Sequence, residues 1–180
     1  LGFAKIGHTE VSARHVSGEA ANLAVLSSRK YRTFRHPKVI RFDPWREMPV
    51  LVITALQASA WQGFRGRWKL PHTAIRELAS AFGTETVPLR EMPFWQRAFE
   101  GASRLGDPSI RTRVQSCLAA MDEIHGDVVE TSGAWHGDLT PWNLAWAGEA
   151  VEIWDWERFE LGVPVGFDTL HYAAQTNVTE

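Results

Sequence analysis

Residues 136–143 read HGDLTPWN, and residues 151–157 read VEIWDWE. The first stretch combines glycine, proline and short polar side chains, which predicts a tight loop. The second is a short apolar strand that ends in acidic residues. Such a loop can direct Asp138 and Asn143 into one cleft, and Asp155 would then lie beside them at the end of the strand. The two stretches therefore predict a site built from carboxylate and amide groups.

These groups suit one kind of chemistry in particular. Carboxylate and amide oxygens are hard ligands that bind Mg²⁺, and a carboxylate that is free of the metal can accept the proton of a hydroxyl group. Phosphoryl transfer needs this combination, because the protein mainly positions the nucleophile and neutralises charge. Kinases in general carry His-x-Asp with an Asn shortly after it, followed by a metal-binding Asp. His136, Asp138, Asn143 and Asp155 occur in the same order.

The segments WHGDLTPWNLAW and VEIWDWERFELGVPVGFD resemble the catalytic region of the aminoglycoside phosphotransferase and choline kinase-like family. The resemblance implies a two-lobed, protein-kinase-like fold. It also implies that Asp138 is the catalytic base or orients the acceptor hydroxyl, that Asn143 binds one Mg²⁺, and that Asp155 is the principal Mg²⁺ ligand. His136 would mainly hold the loop. Asp168 would help to hold the loop, or would cap the helix that follows it, or both.

The N-terminal part of the chain resembles the same family. Phe3-Ala4-Lys5-Ile6 is similar to the strand that carries a phosphate-binding lysine, and Glu19 to the partner that holds this lysine charged. The stretch from Leu51 to Leu56 is similar to the strand that leads to the adenine-binding hinge. The resemblance thus implies Mg²⁺ and ATP (or GTP) as cofactors. It also implies a glycine-rich loop before Lys5 and helices after the last residue, so we expect the chain to be part of a longer protein.

The predicted elements indicate an α+β fold with a partial N-lobe sheet and a mainly helical C-lobe. We expect strands at 1–6, 38–42, 50–55 and 151–156, helices at 17–28, 71–82, 93–105, 108–124 and from 167 onward, and loops at 131–146 and 162–166. Ser17 is the expected N-cap of the first helix, Asp43-Pro44 the expected turn between the second and third strands, and the third strand the expected sheet centre. The change from strands to helices predicts two domains, at 1–56 and 57–180.

Composition narrows the class of protein. The chain has 180 residues, of which 44% are hydrophobic and 22% charged, and its net charge is −2. A dedicated nucleic-acid binder usually shows a basic excess, and no apolar run approaches the roughly 20 residues of a membrane span. The N-terminus lacks the pattern of a signal peptide. We therefore expect a cytoplasmic protein that binds neither nucleic acid nor membrane. The resemblance implies a small-molecule hydroxyl acceptor as its partner.

Several other side chains admit two interpretations. Glu157 either supports the metal site or faces solvent. The tryptophans near the site either form a stacking surface for a sugar or a cationic substrate or pack in the core, and we favour the core; they are Trp135, Trp142, Trp146, Trp154 and Trp156. The basic residues Arg65, Arg67 and Lys69 either contact phosphate or are solvated, and we favour solvation.

The remaining histidines and the cysteine are expected to carry no chemistry. The histidines without ligand spacing are His8, His15, His72, His125 and His171. Cys117 lies on a predicted apolar helix stripe, so we expect a small core residue. That stripe consists of Ile110, Val114, Cys117, Leu118, Met121 and Ile124, at helical spacing.

Three functions compete. The first is a Mg²⁺-dependent kinase that transfers the γ-phosphate of a nucleotide to a hydroxyl of an aminoglycoside, an amino sugar, a choline-like molecule or a related metabolite. The second is an inactive, kinase-like nucleotide-binding or scaffold protein, although such a protein has no physical need for Asp138, Asn143 and Asp155 together. The third is a glycosidase that pairs Asp138 with Asp155 or Glu157, which leaves Lys5, Glu19 and Asn143 unexplained.

Overall fold

The computed structural model describes residues 1–56 and 69–178. The strands are β1 (Gly2–Ile6), β2 (Phe34–Arg35), β3 (Val39–Trp45), β4 (Met48–Thr54), β5 (Glu85–Pro88), β6 (Val129–Trp135), β7 (Leu144–Ala147), β8 (Ala150–Ile153) and β9 (Glu160–Pro164). The helices are α1 (Glu10–Ser27), α2 (His72–Ser80), α3 (Pro93–Ser103), α4 (Pro108–His125) and α5 (Phe167–Val178), with short 3-10 turns at Leu89–Glu91 and Trp156–Arg158. This mixture confirms the predicted α+β class.

The N-terminal strands form an antiparallel sheet in the order β1-β4-β3. β4 lies at its centre, as its continuously apolar sequence predicted. The predicted turn at Asp43-Pro44 is wrong, because both residues belong to β3. The hairpin instead reverses at Arg46-Glu47, where both residues have positive φ angles of 49° and 67°. This is the backbone twist that two-residue hairpin turns require.

Helix α1 starts well before the residue that the sequence suggested. Its N-cap is Thr9, whose side chain accepts a hydrogen bond from the Ser12 backbone N–H at 3.1 Å. The Ser12 hydroxyl in turn accepts from the Thr9 N–H at 2.9 Å, which completes a capping box. Ser17 lies inside the helix, so its predicted role as N-cap is wrong. A capping box usually has Glu or Gln at the position that Ser12 occupies here, so the sequence pattern of a helix start was not recognised at Thr9.

Two further three-stranded sheets follow. In the order β2-β8-β7, the short strand β2 pairs in parallel with β8, with Phe34 opposite Val151. In the order β5-β6-β9, the central strand β6 pairs antiparallel with both neighbours. The predicted loops at 131–146 and 162–166 were therefore too long, because some of their residues belong to β6, β7 and β9. Strand β5 was not predicted.

The helices after residue 69 follow the predicted pattern, but their burial differs. Asp107 caps α4 as expected, since its carboxylate accepts from the N–H groups of Ser109 and Ile110 at 2.8 and 3.1 Å. None of the side chains of α4 is fully buried. The predicted apolar stripe is largely exposed, and Cys117 is exposed. The expectation that Cys117 is a core residue is therefore wrong for the part of the chain that the structure describes.

The main core lies between α1, α2 and the strands that flank the loop at residues 136–143. Its fully buried members include Leu23, Leu51, Ile153 and Trp156. Asn22 on α1 donates to the backbone carbonyl of Trp156 at 2.8 Å. This contact ties the N-terminal helix to the segment that follows β8. The domain division at residue 56 stays a prediction, because residues 57–68 lie outside the described part.

Candidate active site

The loop at residues 136–143 connects β6 to β7 and is fixed by its backbone. Gly137 has a φ of 85°, a conformation that side chains disfavour. A Cβ atom on Gly137 would also lie 2.4 Å from the Arg158 carbonyl oxygen. Only glycine fits this position, and the loop can therefore approach the segment after β8 closely.

His136 anchors the loop from inside. It is fully buried, and its ring stacks at an angle on Trp156 with a centroid distance of 4.5 Å. Burial lowers the pKa of His136 to about 4, so the imidazole is neutral at physiological pH. Its Nδ1 accepts from the Asp138 N–H at 3.2 Å, so Nε2 carries the hydrogen and donates to the Trp154 carbonyl at 3.0 Å.

Asp168 holds the same loop from α5. Its two carboxylate oxygens accept from the backbone N–H groups of His136 and Gly137, at 2.8 and 3.2 Å. Burial raises the pKa of Asp168 to about 6, while these two hydrogen bonds act in the opposite direction. Asp168 lies in the first turn of α5. The sequence suggested that Asp168 holds the loop, caps the helix, or does both. These contacts are those of a residue that holds the loop.

Asp138 and Asn143 face each other across the loop. The Asn143 side-chain N–H group donates to the Asp138 carboxylate at 3.1 Å and to the Asp138 carbonyl at 2.9 Å. The other carboxylate oxygen of Asp138 lies 3.1 Å from Nε2 of His171. From the sequence we expected no chemistry of His171, and the structure places its ring in contact with the Asp138 carboxylate. A usable signal existed, because His171 lies one helical turn after Asp168 and so shares its face of the helix.

Asp155 follows β8 and lies next to the loop. Leu144 on β7 pairs with Ile153 on β8, and the Trp154 N–H donates to the Asn143 carbonyl at 3.1 Å. These contacts bring the two predicted Mg²⁺ ligands to the same end of the β7–β8 hairpin. The Asp155 backbone adopts a left-handed conformation, with φ 70° and ψ 53°. Residues other than glycine adopt it at a cost, and such strain is concentrated at functional sites.

Lys5 joins the N-terminal sheet to this site. Its Nζ lies 2.6 Å from Oε2 of Glu19 and 2.5 Å from Oδ1 of Asp155. Burial acts to lower the pKa of Lys5, but hydrogen bonds and charge from Asp155 and Glu19 outweigh it and raise the pKa, which keeps the amine charged. The Glu19 side chain is only 1% exposed. The structure thus pairs the two predicted nucleotide-site residues with each other, and it brings one of them, Lys5, into contact with a predicted metal ligand.

A cavity of about 500 Å³ opens beside these residues. Lys5 and Phe3 of β1, Ile53 of β4 and Trp154 contribute to its walls, which are mostly apolar. Leu56, at the end of the stretch expected to lead to the hinge, also lines it. An apolar cavity with the Lys5 ammonium group on its wall suits a planar ring that carries an anionic tail. Trp154 is a wall residue that the sequence did not single out from the other tryptophans.

The other candidate side chains have different surroundings. Glu157 pairs with His15 of α1 at 3.2 Å and lies 3.8 Å from the guanidinium of Arg158. Among the tryptophans, Trp156 is fully buried, Trp142 is 41% exposed, and Trp135 packs edge-on against Phe94 and Phe167. Lys69 lies 4.5 Å above the Trp146 ring. The expectations for Arg65 and Arg67 lie outside the described residues.

Oxygen donors make up the possible metal site. In the described ranges, no three His, Cys, Asp or Glu side chains gather into a metal cluster. Mg²⁺ does not require such a cluster, because it is commonly held by one or two carboxylates together with substrate phosphates and water. Asn143 and Asp155 fit that kind of site.

None of the helices in the described part combines the length and hydropathy of a membrane span.

Solved structures share this fold. The chain matches a GDP complex of a point mutant of aminoglycoside 2'-phosphotransferase-IIIa at 16% identity and a TM-score of 0.55, over 94% of this chain and 63% of that chain. It matches a protein described as a fructosamine-3-kinase, from Haemophilus somnus, at 15% identity and a TM-score of 0.57, over 96% and 68%. It matches the ADP-bound aminoglycoside phosphotransferase APH(2'')-Ib at 10% identity and a TM-score of 0.52, over 91% and 61%.

The likeness confirms the kinase-like fold that the sequence resemblance implied. The chain spans between 61% and 68% of the length of these three structures. No family model matches the chain, and no curated protein matches it by sequence. At such low identity the comparison defines a fold, and the chemistry has to be argued from the side chains of this chain.

Proposed function

We propose that the protein is a Mg²⁺-dependent small-molecule kinase that transfers the γ-phosphate of ATP or GTP to a hydroxyl group. The acceptor belongs to the class of aminoglycosides, amino sugars, choline-like molecules or related metabolites. One observation carries the proposal: Lys5 contacts both Glu19 and Asp155, at the edge of a cavity and beside the loop that holds Asp138 and Asn143. A glycosidase would need no such lysine.

The residues around the cavity divide the work of phosphoryl transfer. Lys5 stays charged because of its two carboxylate neighbours, so it can bind an anionic phosphate, and Glu19 keeps it directed there. Asn143 and Asp155 are the residues that would hold Mg²⁺. When bound, the metal and the nucleotide supply charge neutralisation and the transferable phosphoryl group.

Asp138 is the proposed base. Its carboxylate is about one-third exposed, at 32%, so an acceptor hydroxyl can reach it. An ionised carboxylate has about four acceptor positions, of which the contacts with Asn143 and His171 use two. The remaining positions can take the hydrogen bond of an acceptor hydroxyl, orient it and receive its proton.

The location and partners are part of the same proposal. The net charge of −2 gives no electrostatic basis for nucleic-acid binding. The solved structures with the same fold include one GDP complex and one ADP complex, which supports a nucleotide as the phosphoryl donor. We propose a cytoplasmic enzyme that acts on small molecules and requires neither nucleic acid nor membrane.

Replacement of Asp138 by asparagine tests this function. We expect Asp138→Asn to lower phosphate transfer by on the order of 10³-fold, because the amide cannot accept the proton. Nucleotide affinity should change little, since Asp138 is not one of the proposed nucleotide or metal ligands. The measurement is transfer of radiolabelled γ-phosphate to kanamycin, fructosyl-lysine and choline, with nucleotide binding by calorimetry.

The matched control is Asp127→Asn, a carboxylate that is 86% exposed and pairs with Arg90 rather than with a residue of the loop. It should behave like the wild type in both measurements. Wild-type turnover by Asp138→Asn would contradict the assignment of the base. Nucleotide binding by the wild type without transfer to any of the three acceptors would favour a nucleotide-binding protein without this activity.

A further inference from the structure

His171 makes a contact that the proposed reaction does not yet use. Its Nε2 lies 3.1 Å from Oδ1 of Asp138, while Asn143 occupies the other oxygen of that carboxylate, Oδ2, at 3.1 Å. An ionised carboxylate can only accept hydrogen bonds, so the hydrogen of this contact lies on Nε2 of His171. Both oxygens of the proposed base therefore receive a hydrogen bond from a fixed donor.

Helix α5 explains how His171 reaches this position. Asp168, in its first turn, is bonded to the loop backbone through His136 and Gly137. His171 lies three residues later, which is about one turn, so it projects from the same face of the helix. One helix thus holds the loop backbone at one point and the carboxylate of Asp138 at another.

We propose that His171 is a positioning residue for Asp138, an inference that rests on the proposed kinase function. The Nε2–H group donates to Oδ1, and together with the Asn143 amide it fixes the plane of the carboxylate. The free acceptor positions of Asp138, one on each oxygen, are then fixed relative to the loop, where an acceptor hydroxyl can meet them. A carboxylate held at one oxygen alone can rotate, and reacting groups lose rate steeply when they are misplaced by about 1 Å.

Titratable groups of the described residues lie near His171 on several sides. The Asp138 carboxylate faces it from the loop, Asp168 lies on its own helix, and the His136 ring lies behind the loop. His136 is neutral because burial lowers its pKa to about 4. Because His136 is neutral, a substitution that removes the charge of Asp138 tests the contact between Asp138 and His171 directly.

Steady-state kinetics on the full-length protein separate positioning from packing. We expect His171→Ala to lower kcat by roughly tenfold to a hundredfold, the range typical for residues that orient a catalytic group, with KM for the nucleotide within about twofold. His171→Gln keeps an N–H donor of similar reach and should recover most of kcat. His125→Gln, at an exposed position, is the control and should match the wild type. The acceptor is whichever of kanamycin, fructosyl-lysine and choline the wild type phosphorylates.

A second measurement needs no turnover. The resonances of the His171 ring, followed by NMR, should shift in Asp138→Asn, because the variant replaces the carboxylate that Nε2–H contacts with a neutral amide. They should not change in Asp127→Asn. Unchanged His171 ring resonances in Asp138→Asn would show that the two side chains are not paired, and would overturn the inference.

The outcomes distinguish the inference from the function beneath it. An active wild type whose His171→Ala variant keeps full kcat overturns the positioning role and leaves the kinase assignment intact. Equal losses in His171→Ala and His171→Gln, with lowered thermal stability in both, mean that His171 only packs, which also overturns it. A wild type that binds nucleotide but phosphorylates none of the three acceptors counts against the proposed function, whereas the NMR measurement still tests the pairing of His171 with Asp138.

Discussion

The carboxyl group of Asp168 is buried where a charge is costly. Burial raises its pKa to about 6, compared with 3.8 for the exposed group. Between these two values the folded protein holds a proton that the unfolded chain has released. The contribution of Asp168 to stability is therefore fully present below the unfolded pKa, and it is lost as the pH rises through the folded pKa.

This linkage predicts a pH-dependent stability that one substitution removes. We expect the Asp168 group to contribute a loss of about 3 kcal/mol in the free energy of unfolding as the pH rises through this window. Asp168→Asn cannot ionise, so its free energy of unfolding should lack this pH-dependent component. The free energy of unfolding will also shift at every pH, because the loop loses one hydrogen-bond acceptor. Urea denaturation at a series of pH values checks the prediction, with Asp127→Asn as the control. A difference between wild type and Asp168→Asn that stays constant with pH would contradict it.

At the scale of single residues, the sequence predicted the members of the site better than their contacts. The spacing of Asp138 and Asn143 predicted their proximity, because a loop of that length has few ways to arrange two polar side chains. The contact of Lys5 with Asp155 joins residues separated by 150 positions, and it was not predicted, because the resemblance to a family suggested only Glu19 as the partner of Lys5. His171 escaped notice because histidines were judged by metal-ligand spacing.

Helix α1 gives a prediction at the scale of an element. Thr9→Ala removes the side-chain oxygen that accepts from the Ser12 N–H, and should lower the free energy of unfolding by about 1 kcal/mol. Thr9→Ser keeps the oxygen and should be close to the wild type. Ser17→Ala is the matched control, since Ser17 is exposed in the helix interior and alanine is the better helix former there. Urea denaturation of the three variants measures the differences.

A reversed order of effects would show that the helix begins elsewhere. If Ser17→Ala were the more destabilising substitution, residues before Ser17 would not be helical under the conditions of the experiment. The structure predicts the opposite, because the capping box joins Thr9 and Ser12 in both directions. Hydrogen exchange at the amides of residues 13–16 would provide an independent check of the same boundary.

Elements differ in how well the sequence predicts them, for physical reasons. The periodicity of α4 predicted a helix correctly, but periodicity describes the face of a helix and does not say what covers it. Its stripe is exposed in the part of the chain that the structure describes. Strands β5 and β9 were missed because their hydrogen bonds are made with β6, a distant part of the chain. Short strands depend on such tertiary contacts more than on propensity.

At the scale of the whole molecule, the cavity lies where parts of the chain from both ends meet. Lys5 comes from the first strand, and Asp155 comes from the segment after β8. A ligand that binds both should stabilise the folded state as a whole, because the unfolded chain holds these residues apart. The free energy gained depends on ligand concentration relative to the dissociation constant, and is about 2.7 kcal/mol at a hundredfold excess over it.

Thermal unfolding with nucleotide therefore gives the last prediction. ATP or GTP with Mg²⁺ at such an excess should raise Tm by about 5 to 10 °C for a chain of this size, and the nucleotide without Mg²⁺ should raise it less. Asp155→Asn should lose the Mg²⁺-dependent increment, because it removes the charged ligand but keeps a side chain that tolerates the left-handed backbone. Asp127→Asn should keep the full increment. A Mg²⁺-dependent increment that persists in Asp155→Asn would mean that other residues bind the metal. Glu19 does not offer a free ligand, because its carboxylate is already paired with Lys5.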